Sequence, residues 1–496
     1  MGIIQKQAIR GSVYSYLGVG LGFVINLLIY QKYFEADQIG LLRLLVAYSA
    51  LFAQFASLGF PRVTTVIFPY FRNYQKKHHG FFFLAFLVST IGLIISILLL
   101  FILQPAIIGK ETGKSMLLAE YFFFIVPLII VSLYYIVFDN YYKVLYNSVQ
   151  GTFLKEFLQR VLILGVALLF VFGLIDFREF VLLFFISFLI PTLLILFMLI
   201  RDRQIFLKPQ MDFISKDLRN RMVNIGFYGI LTSFSGILVL NIDSIMINAM
   251  IDLSSTGIYA ITFYFGTVIL VSSRPLLKIS SVVIADAWKN NDQDKINTIY
   301  YKSCLNQTIL ASLLFIGIWA NIHNVFNEYL LQSTYEPGKY VIFFISLAST
   351  IQMAGGTSNM ILFTSPKYKI HTYFMILLVL LLVGSNLVLI PALGIVGAAL
   401  ASAVSFLVFN LLKYFYLKKQ FGFHPYDHKI LLVVFYAVLT YFLSLLIPRL
   451  DFFAWDILLR STFISIFYLC LVLMSNISGE LNEKYQLLIN YFKRRR

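Results

Sequence analysis

Residues 241–261 read NIDSIMINAMIDLSSTGIYAI and continue an apolar run that begins near Ile225. The run is long enough to cross a bilayer, yet it contains Asp243, and an ionisable group in hydrocarbon is costly. Of the 496 residues, 60% are hydrophobic and only 12% are charged, and the mean hydropathy is +0.84. This composition indicates an integral membrane protein, so the position of Asp243 requires a functional or structural reason.

Apolar segments of about 20 residues recur along the whole chain, and each can cross about 30 Å of hydrocarbon as a helix. They predict an all-α protein with about fourteen transmembrane helices. Gly59-Phe60-Pro61 is predicted to interrupt the second helix. The predicted spans lie near 11–33, 39–60, 81–104, 119–139, 157–175, 179–200, 222–251, 257–278, 303–322, 339–361, 370–390, 395–417, 430–448 and 456–475.

Lysine and arginine are concentrated in alternate loops, with roughly 26 on one side against 6 on the other. The six predicted in outer loops are Lys32, Lys110, Lys114, Arg178, Lys339 and Arg449. By the positive-inside rule both termini are cytoplasmic, and we expect a bacterial cytoplasmic (inner) membrane protein. The basic residues are spread over many loops instead of forming one face, so a nucleic-acid partner is not expected. The tail YFKRRR (491–496) is expected to lie against anionic lipid headgroups.

The sequence gives no sign of catalysis. It contains no phosphate-binding glycine loop, no nucleophile elbow and no large soluble segment. Its two cysteines, Cys304 and Cys470, resemble no metal or redox motif. We therefore expect neither an enzyme nor a bound cofactor.

The chain contains an internal repeat that becomes visible when it is shifted by 217 residues. Gly40 then aligns with Gly257, Asn26 aligns with Asp243, and the turn GLIDFREF aligns with IPALGIVG. Six helices per repeat is an even number, so the two halves are expected to be parallel. The predicted lobes are residues 1–213 and 214–420, and residues 421–496 form two further helices and the basic tail.

Three stretches resemble polysaccharide-type flippases of the multidrug/oligosaccharidyl-lipid/polysaccharide (MOP) exporter superfamily. NIDSIMINAMIDLSSTGIYAI is similar to the junction of their seventh and eighth helices. NLVLIPALGIVGAALASAVSFLV (386–408) resembles their eleventh-to-twelfth hairpin, where small residues let helices approach closely. KQAIRGSVYSYLGVGLGFVINLLIY (6–30) resembles their first helix. Helix number, inward termini and the repeat agree with this family along nearly the whole chain.

This resemblance implies two six-helix lobes that form a V and open alternately to the two sides of the membrane. It also implies that helices thirteen and fourteen, near 430–475, help to form a lipid-facing groove. The implied substrate is an undecaprenyl-diphosphate-linked oligosaccharide, which is flipped outward for surface polysaccharide synthesis. The expected partners are this lipid, the membrane lipids and a polysaccharide polymerase or ligase, and the expected state is a monomer.

Cations inside or at the ends of the spans are candidates for holding the diphosphate, because arginine makes paired, charge-assisted hydrogen bonds with phosphate. Arg62, Arg274 and Lys278 are predicted near the cytoplasmic face, where they would form a basic inner mouth. Alternatively, they are ordinary anchors that reach lipid phosphates. Three polar side chains would line the cavity or join helices by hydrogen bonds: Asn26, Gln352 and Asn359.

Asp243 is predicted about 12 Å below the outer surface, and Arg43 of the other repeat lies about 6 Å below it, from the rise per residue of a helix. Their depths are compatible, whereas Arg274 lies near the opposite face. Three roles for Asp243 remain open. It pairs with Arg43 as an outer gate, it binds a coupling ion, Na⁺ or a proton, or neighbouring polar groups satisfy it in a structural network.

Other functions remain open as well. A drug or cation antiporter of the same superfamily fits twelve helices but not the extra pair. A polymerase subunit would be expected to have a large outer loop, whereas the longest outer connection is about 16 residues. A lipid-linked peptidoglycan precursor is an alternative cargo for a flippase.

Overall fold

The computed structural model describes residues 3–108, 116–326, 330–367 and 369–493. Lys110 and Lys114, which were assigned to an outer loop, and residues 494–496 of the basic tail lie outside the described residues.

The described chain is built almost entirely from helices. The first eleven α-helices are α1 Ile3–Phe23, α2 Gln31–Tyr33, α3 Ala36–Ala56, α4 Phe60–Phe71, α5 Phe81–Ile108, α6 Met116–Tyr121, α7 Ile125–Val144, α8 Ser148–Thr152, α9 Gln159–Val171, α10 Phe177–Arg201 and α11 Lys216–Met250. The others are α12 Leu253–Val271, α13 Arg274–Lys289, α14 Gln293–Ala320, α15 Ile322–Val325, α16 Lys339–Ala354, α17 Ser358–Thr364, α18 Lys369–Leu393, α19 Ile395–Phe421, α20 His428–Ser444, α21 Phe453–Met474 and α22 Gly479–Lys493. The segments Val24–Tyr30 and Phe153–Leu158 are π-helical.

Within the described residues, eleven helical segments are long and apolar enough to cross a membrane. The segment Ser333–Ala354 and the following α17, bent by 53° at their junction, give a twelfth span if they are counted as one. The prediction of an all-α, multi-pass membrane protein is therefore confirmed. The number fourteen is not confirmed. α20 has only 17 residues, and the continuous helical segment of α8, the π-helix Phe153–Leu158 and α9 carries three charged residues, Lys155, Glu156 and Arg160.

The second span is interrupted where the sequence predicts it. α3 ends at Ala56, and Gly59 adopts a left-handed conformation with φ of +68°. A side chain at Gly59 would also collide with the carbonyl oxygen of Gly226 on α11. Glycine is therefore required here both by the backbone conformation and by the close approach of α11.

The eighth span ends earlier than predicted. α12 stops at Val271, and a separate helix, α13, begins at Arg274. Pro275 explains the break, because proline lacks an N–H donor and fits only the first turn of a helix. Arg274 and Lys278 therefore lie on α13 and not at the end of the spanning helix.

Grouped by their contacts, the residues form two compact units, Met1–Ile261 with Met375–Ile395, and Thr262–Phe374 with Val396–Arg496. In the first unit α3 and α12 begin 217 positions apart, at Ala36 and Leu253, which matches the repeat seen in the sequence. A side chain at Gly40 would collide with the Leu253 carbonyl oxygen, and one at Gly257 with that of Ala36. The two equivalent glycines thus lie at one tight crossing of α3 and α12.

In the second unit α20 and α21 are attached to α14. An apolar cluster joins Leu305 and Ile309 of α14 to Val433 of α20 and Tyr468 of α21. The Tyr468 hydroxyl, which is fully buried, donates a hydrogen bond to the Ile309 carbonyl at 3.1 Å. The division into lobes at residues 213 and 420 stays a prediction.

Candidate functional site

Asp243 lies on the C-terminal half of α11 and is 6% exposed. The Tyr259 hydroxyl donates to its Oδ2 at 2.7 Å, and Nδ2 of Asn386 donates to its Oδ1 at 2.8 Å. Neutral donors from α12 and α18 therefore hold both carboxylate oxygens. Asn26, its equivalent in the first repeat, instead donates to the Gly22 carbonyl of its own helix at 2.7 Å.

Arg43 of α3 contacts the turn of α11 that carries Asp243. Its Nε donates to the Ser244 hydroxyl at 3.2 Å, and one terminal nitrogen donates to the Leu240 carbonyl at 2.9 Å. The guanidinium is thus held by neutral acceptors on either side of Asp243. The structure places the two residues at the same level of the first unit, and the gate role stays a prediction.

Asn386 is the residue near Asp243 that sequence reasoning missed. It is fully buried, and its Oδ1 is one of the buried polar atoms without a hydrogen-bond partner among the described residues. A carboxylate beside an unpaired amide oxygen is a donor set suited to a hard cation such as Na⁺. The only sequence signal was an asparagine at the start of NLVLIPALG, within an apolar span.

The three residues of the predicted inner mouth have different environments. Arg62 is half-buried and lies close to Gly229 of α11. A Cβ atom added at Gly229 would be 3.2 Å from the Cβ of Arg62. Arg274 and Lys278 are exposed on α13. Arg62 belongs to the first compact unit and the other two belong to the second, so their common mouth stays a prediction.

An apolar groove of about 670 Å³ lies between α4, α5 and α11 in the first unit. Arg219, in the first turns of α11, is the one cation among the residues that line it. Arg219 is exposed and takes no part in the ion pairs of the described residues. In the sequence, Arg219 is one of six basic residues in the stretch 201–221, which gives no sign of a groove. The other lining residues are Leu58, Phe60, Val63, Leu84, Val88, Ile214, Met222, Val223, Gly226, Phe227 and Ile230.

Asn359 lies next to a buried lysine that sequence reasoning also missed. Lys413 of α19 is 2% exposed and donates to Oδ1 of Asn359 at 3.0 Å and to the Ser358 hydroxyl at 3.1 Å. Its ammonium also lies 4.3 Å from the centre of the Phe409 ring. Among the described residues, no carboxylate lies within 4.0 Å of it. The site is at the bend between α16 and α17, and Gln352 lies half-buried one turn before that bend.

The chain matches no protein-family model and no curated protein sequence. Its structure is similar to that of the lipid II flippase MurJ in an inward closed conformation, with a TM-score of 0.73, 14% identity, and coverage of 94% of this chain and 98% of that one. An inward-facing multidrug resistance MATE family transporter gives a TM-score of 0.62 at 13% identity, over 83% of this chain and 94% of that one. A MOP superfamily transporter from Pyrococcus furiosus gives 0.55 at 14% identity, over 84% and 96%. The chain therefore has the fold of the MOP superfamily transporters.

Proposed function

We propose that the protein is a flippase that moves an undecaprenyl-diphosphate-linked oligosaccharide from the cytoplasmic to the outer leaflet by alternating access. The observation that carries the proposal is the extent of the likeness to a lipid II flippase, which covers 94% of this chain. The MATE family transporter covers 83%. The likeness to the flippase thus extends over a larger part of this chain than the likeness to the MATE family transporter. This is expected if α20 and α21 belong to the transport machinery.

The groove of the first unit supports a lipid-linked substrate. A prenyl chain requires an apolar surface, and a diphosphate requires a cation at its edge. The groove offers eleven lining residues without charge and Arg219 as its single cation. In the proposed cycle Arg219 meets the diphosphate at the cytoplasmic leaflet while the groove holds the first isoprene units. The sugar then crosses within a hydrated cavity, and the product is passed to a polysaccharide polymerase or ligase.

The test is a flipping assay in proteoliposomes. A fluorescent polyprenyl-diphosphate oligosaccharide is added, and the fraction exposed to a membrane-impermeant glycosidase is followed over time. Arg219→Ala is expected to lower the initial rate about tenfold, because one charge-assisted contact with the diphosphate is lost. Lys216→Ala is the matched control, since Lys216 is an exposed cation of the same helix that does not line the groove. No flipping by the wild-type protein, or equal rates for both variants, would contradict the proposal.

A lipid-linked peptidoglycan precursor is the second candidate cargo, and the likeness to the lipid II flippase favours it. The two cargoes share the polyprenyl diphosphate and differ in the sugar. Running the same assay with each lipid in turn, and then with both in competition, decides between them. A drug antiporter predicts a third result. An ion gradient would drive accumulation of a dye, and neither lipid would be flipped.

A further inference from the structure

A pocket of about 170 Å³ lies in the second unit, at the ends of α14, α16, α20 and α21. It is separate from the residues considered above for transport. Basic and aromatic side chains dominate its wall, including His323, Lys339, Arg449 and Arg460. Lys339 and Arg449 are among the basic residues predicted in outer loops, so the pocket is expected at the outer surface of the membrane.

Arg460 lies at the floor of the pocket, where several contacts hold it in a fixed position. It is 4% exposed and forms an ion pair with Asp456 at 3.1 Å. It also donates to the Ser444 carbonyl at 2.6 Å and to the Ile447 carbonyl at 3.3 Å. The Asp456 carboxylate accepts from Asn324 and from the Leu450 backbone N–H as well. Asp456, the only carboxylate among the described residues that line the pocket, is therefore already neutralised.

Lys339 and Arg449 add positive charge that no ion pair with a carboxylate of the described residues balances. Neither residue takes part in the ion pairs of the described part of the chain. Their effect reaches His323, where burial, together with repulsion from Arg449, Lys339 and Arg460, lowers the pKa of the imidazole. The pocket thus has a positive potential, which favours an anion.

Aromatic side chains complete the wall. The Trp319 ring lies 6.1 Å from the ring of Tyr340, which is 54% exposed. Tryptophan and tyrosine prefer the headgroup region of a bilayer, where one end of the ring is apolar and the other contacts water. Lys339 is also the first residue of the 16-residue helix α16, whose N-terminal dipole adds to the positive potential.

We infer that this pocket binds the phosphate group of a lipid, with Lys339 and Arg449 as its movable cations and the Arg460–Asp456 pair as its rigid floor. An ordinary anionic phospholipid and the diphosphate of a polyprenyl-linked substrate carry the same group. The inference does not require the proposed function, because a phospholipid alone would satisfy it. A polyprenyl diphosphate would instead make the pocket a station for the substrate after it has crossed.

The test is lipid binding to the purified full-length protein in non-ionic detergent, measured by native mass spectrometry. The probes are phosphatidylglycerol, undecaprenyl diphosphate and an uncharged diacylglycerol. The double variant Lys339→Gln/Arg449→Gln is expected to weaken binding of the phosphate-bearing lipid about tenfold without affecting diacylglycerol. Lys289→Gln/Lys295→Gln is the matched control, because both residues are exposed cations of the same unit outside the pocket.

Each outcome has a definite meaning. Selective loss of phosphatidylglycerol binding identifies a phospholipid site, and selective loss of undecaprenyl diphosphate binding identifies a substrate site. Equal binding of both probes by the pocket variant and the wild type would overturn the inference. Thermal unfolding of the variants verifies that they are folded. A failure of flipping with intact lipid binding would contradict the proposed function and leave the pocket assignment standing.

His323 provides a second readout. Phosphatidylglycerol keeps one negative charge between pH 7 and pH 5, so any change of its affinity over this range comes from the protein. Burial and the neighbouring cations lower the pKa of His323, whereas a bound phosphate would stabilise its imidazolium, so acidification is expected to tighten binding. His323→Gln is expected to remove the pH dependence, and an unchanged dependence would place the titrating group outside the pocket.

Discussion

At Asp243, a single substitution separates the three roles left open by the sequence. Its two oxygens each accept a hydrogen bond, from Tyr259 and from Asn386. In Asp243→Asn an NH₂ group replaces one carboxylate oxygen. Whichever way the amide is turned, this NH₂ group faces one of the two donors instead of accepting its hydrogen bond. If the carboxylate is structural, the variant is expected to lose about 1–3 kcal/mol of stability, measured by thermal unfolding in detergent. Asp286→Asn, at an exposed position on α13, is the control and should unfold like the wild type.

The same assay tests the other two roles of Asp243. An ion site predicts that Na⁺ raises the unfolding temperature of the wild type and not that of Asp243→Asn, because only the native state binds the ion. An outer gate predicts that exchanging the residues at positions 43 and 243 restores flipping lost in the single variants. Since Arg43 donates to Ser244 and Leu240, an aspartate at position 43 would lose these contacts, and we expect no recovery.

Lys413 has an ammonium that is buried among neutral groups. Burying a charge that no opposite charge balances is costly, and an apolar side chain of similar length avoids this cost. Lys413→Met is therefore expected to unfold at or above the wild-type temperature, whereas Lys413→Ala leaves a cavity and loses about 2–4 kcal/mol. If the unfolding temperature of Lys413→Met falls as far as that of Lys413→Ala, the hydrogen bonds of Lys413 to Ser358 and Asn359 hold α17 in place. If it is stable but inactive in flipping, Lys413 belongs to the transport machinery.

At the level of elements, the crossing of α3 and α12 depends on two glycines. An alanine at Gly40 or Gly257 would drive its Cβ into a backbone carbonyl of the other helix. Each variant is expected to lose about 1–3 kcal/mol, measured by thermal unfolding. Gly20→Ala is the control, because its Cβ would meet nothing within 4 Å and alanine favours a helix. Equal stability of all three variants would mean that α3 and α12 are not tightly packed at this crossing.

The same elements show what a sequence can reveal. Gly40 and Gly257 could be paired in advance, because the repeat follows a constant offset and glycine marks close helix packing. The interruption at Gly59 followed from its neighbouring proline. Lys413 was missed because one lysine near the end of an apolar run looks like an ordinary anchor. The contact of Asn386 with Asp243 joins residues 143 positions apart, so only the folded chain reveals it.

Helix ends were the least predictable feature. Ser272-Ser273-Arg274-Pro275 is typical of an irregular helix end, but the apolar pattern of the eighth span continues to Ile279. The structure instead gives α13 its own start at Arg274. Arg274 and Lys278 therefore belong to α13 and not to the end of the eighth span, and their role in the inner mouth stays a prediction.

For the whole molecule, the predicted inner mouth can be tested through the two ends of α13. Arg274 and Lys289 are the first and last residues of this helix, and both are exposed cations. Removing either one changes the net charge and the balance of the positive-inside rule by the same amount. Only Arg274 is assigned to capture of the diphosphate. Arg274→Ala is therefore expected to lower the initial flipping rate about tenfold, and Lys289→Ala to leave it unchanged, in the proteoliposome assay. Equal losses, or none, would make Arg274 an ordinary lipid anchor and leave Arg219 as the cation proposed to meet the diphosphate.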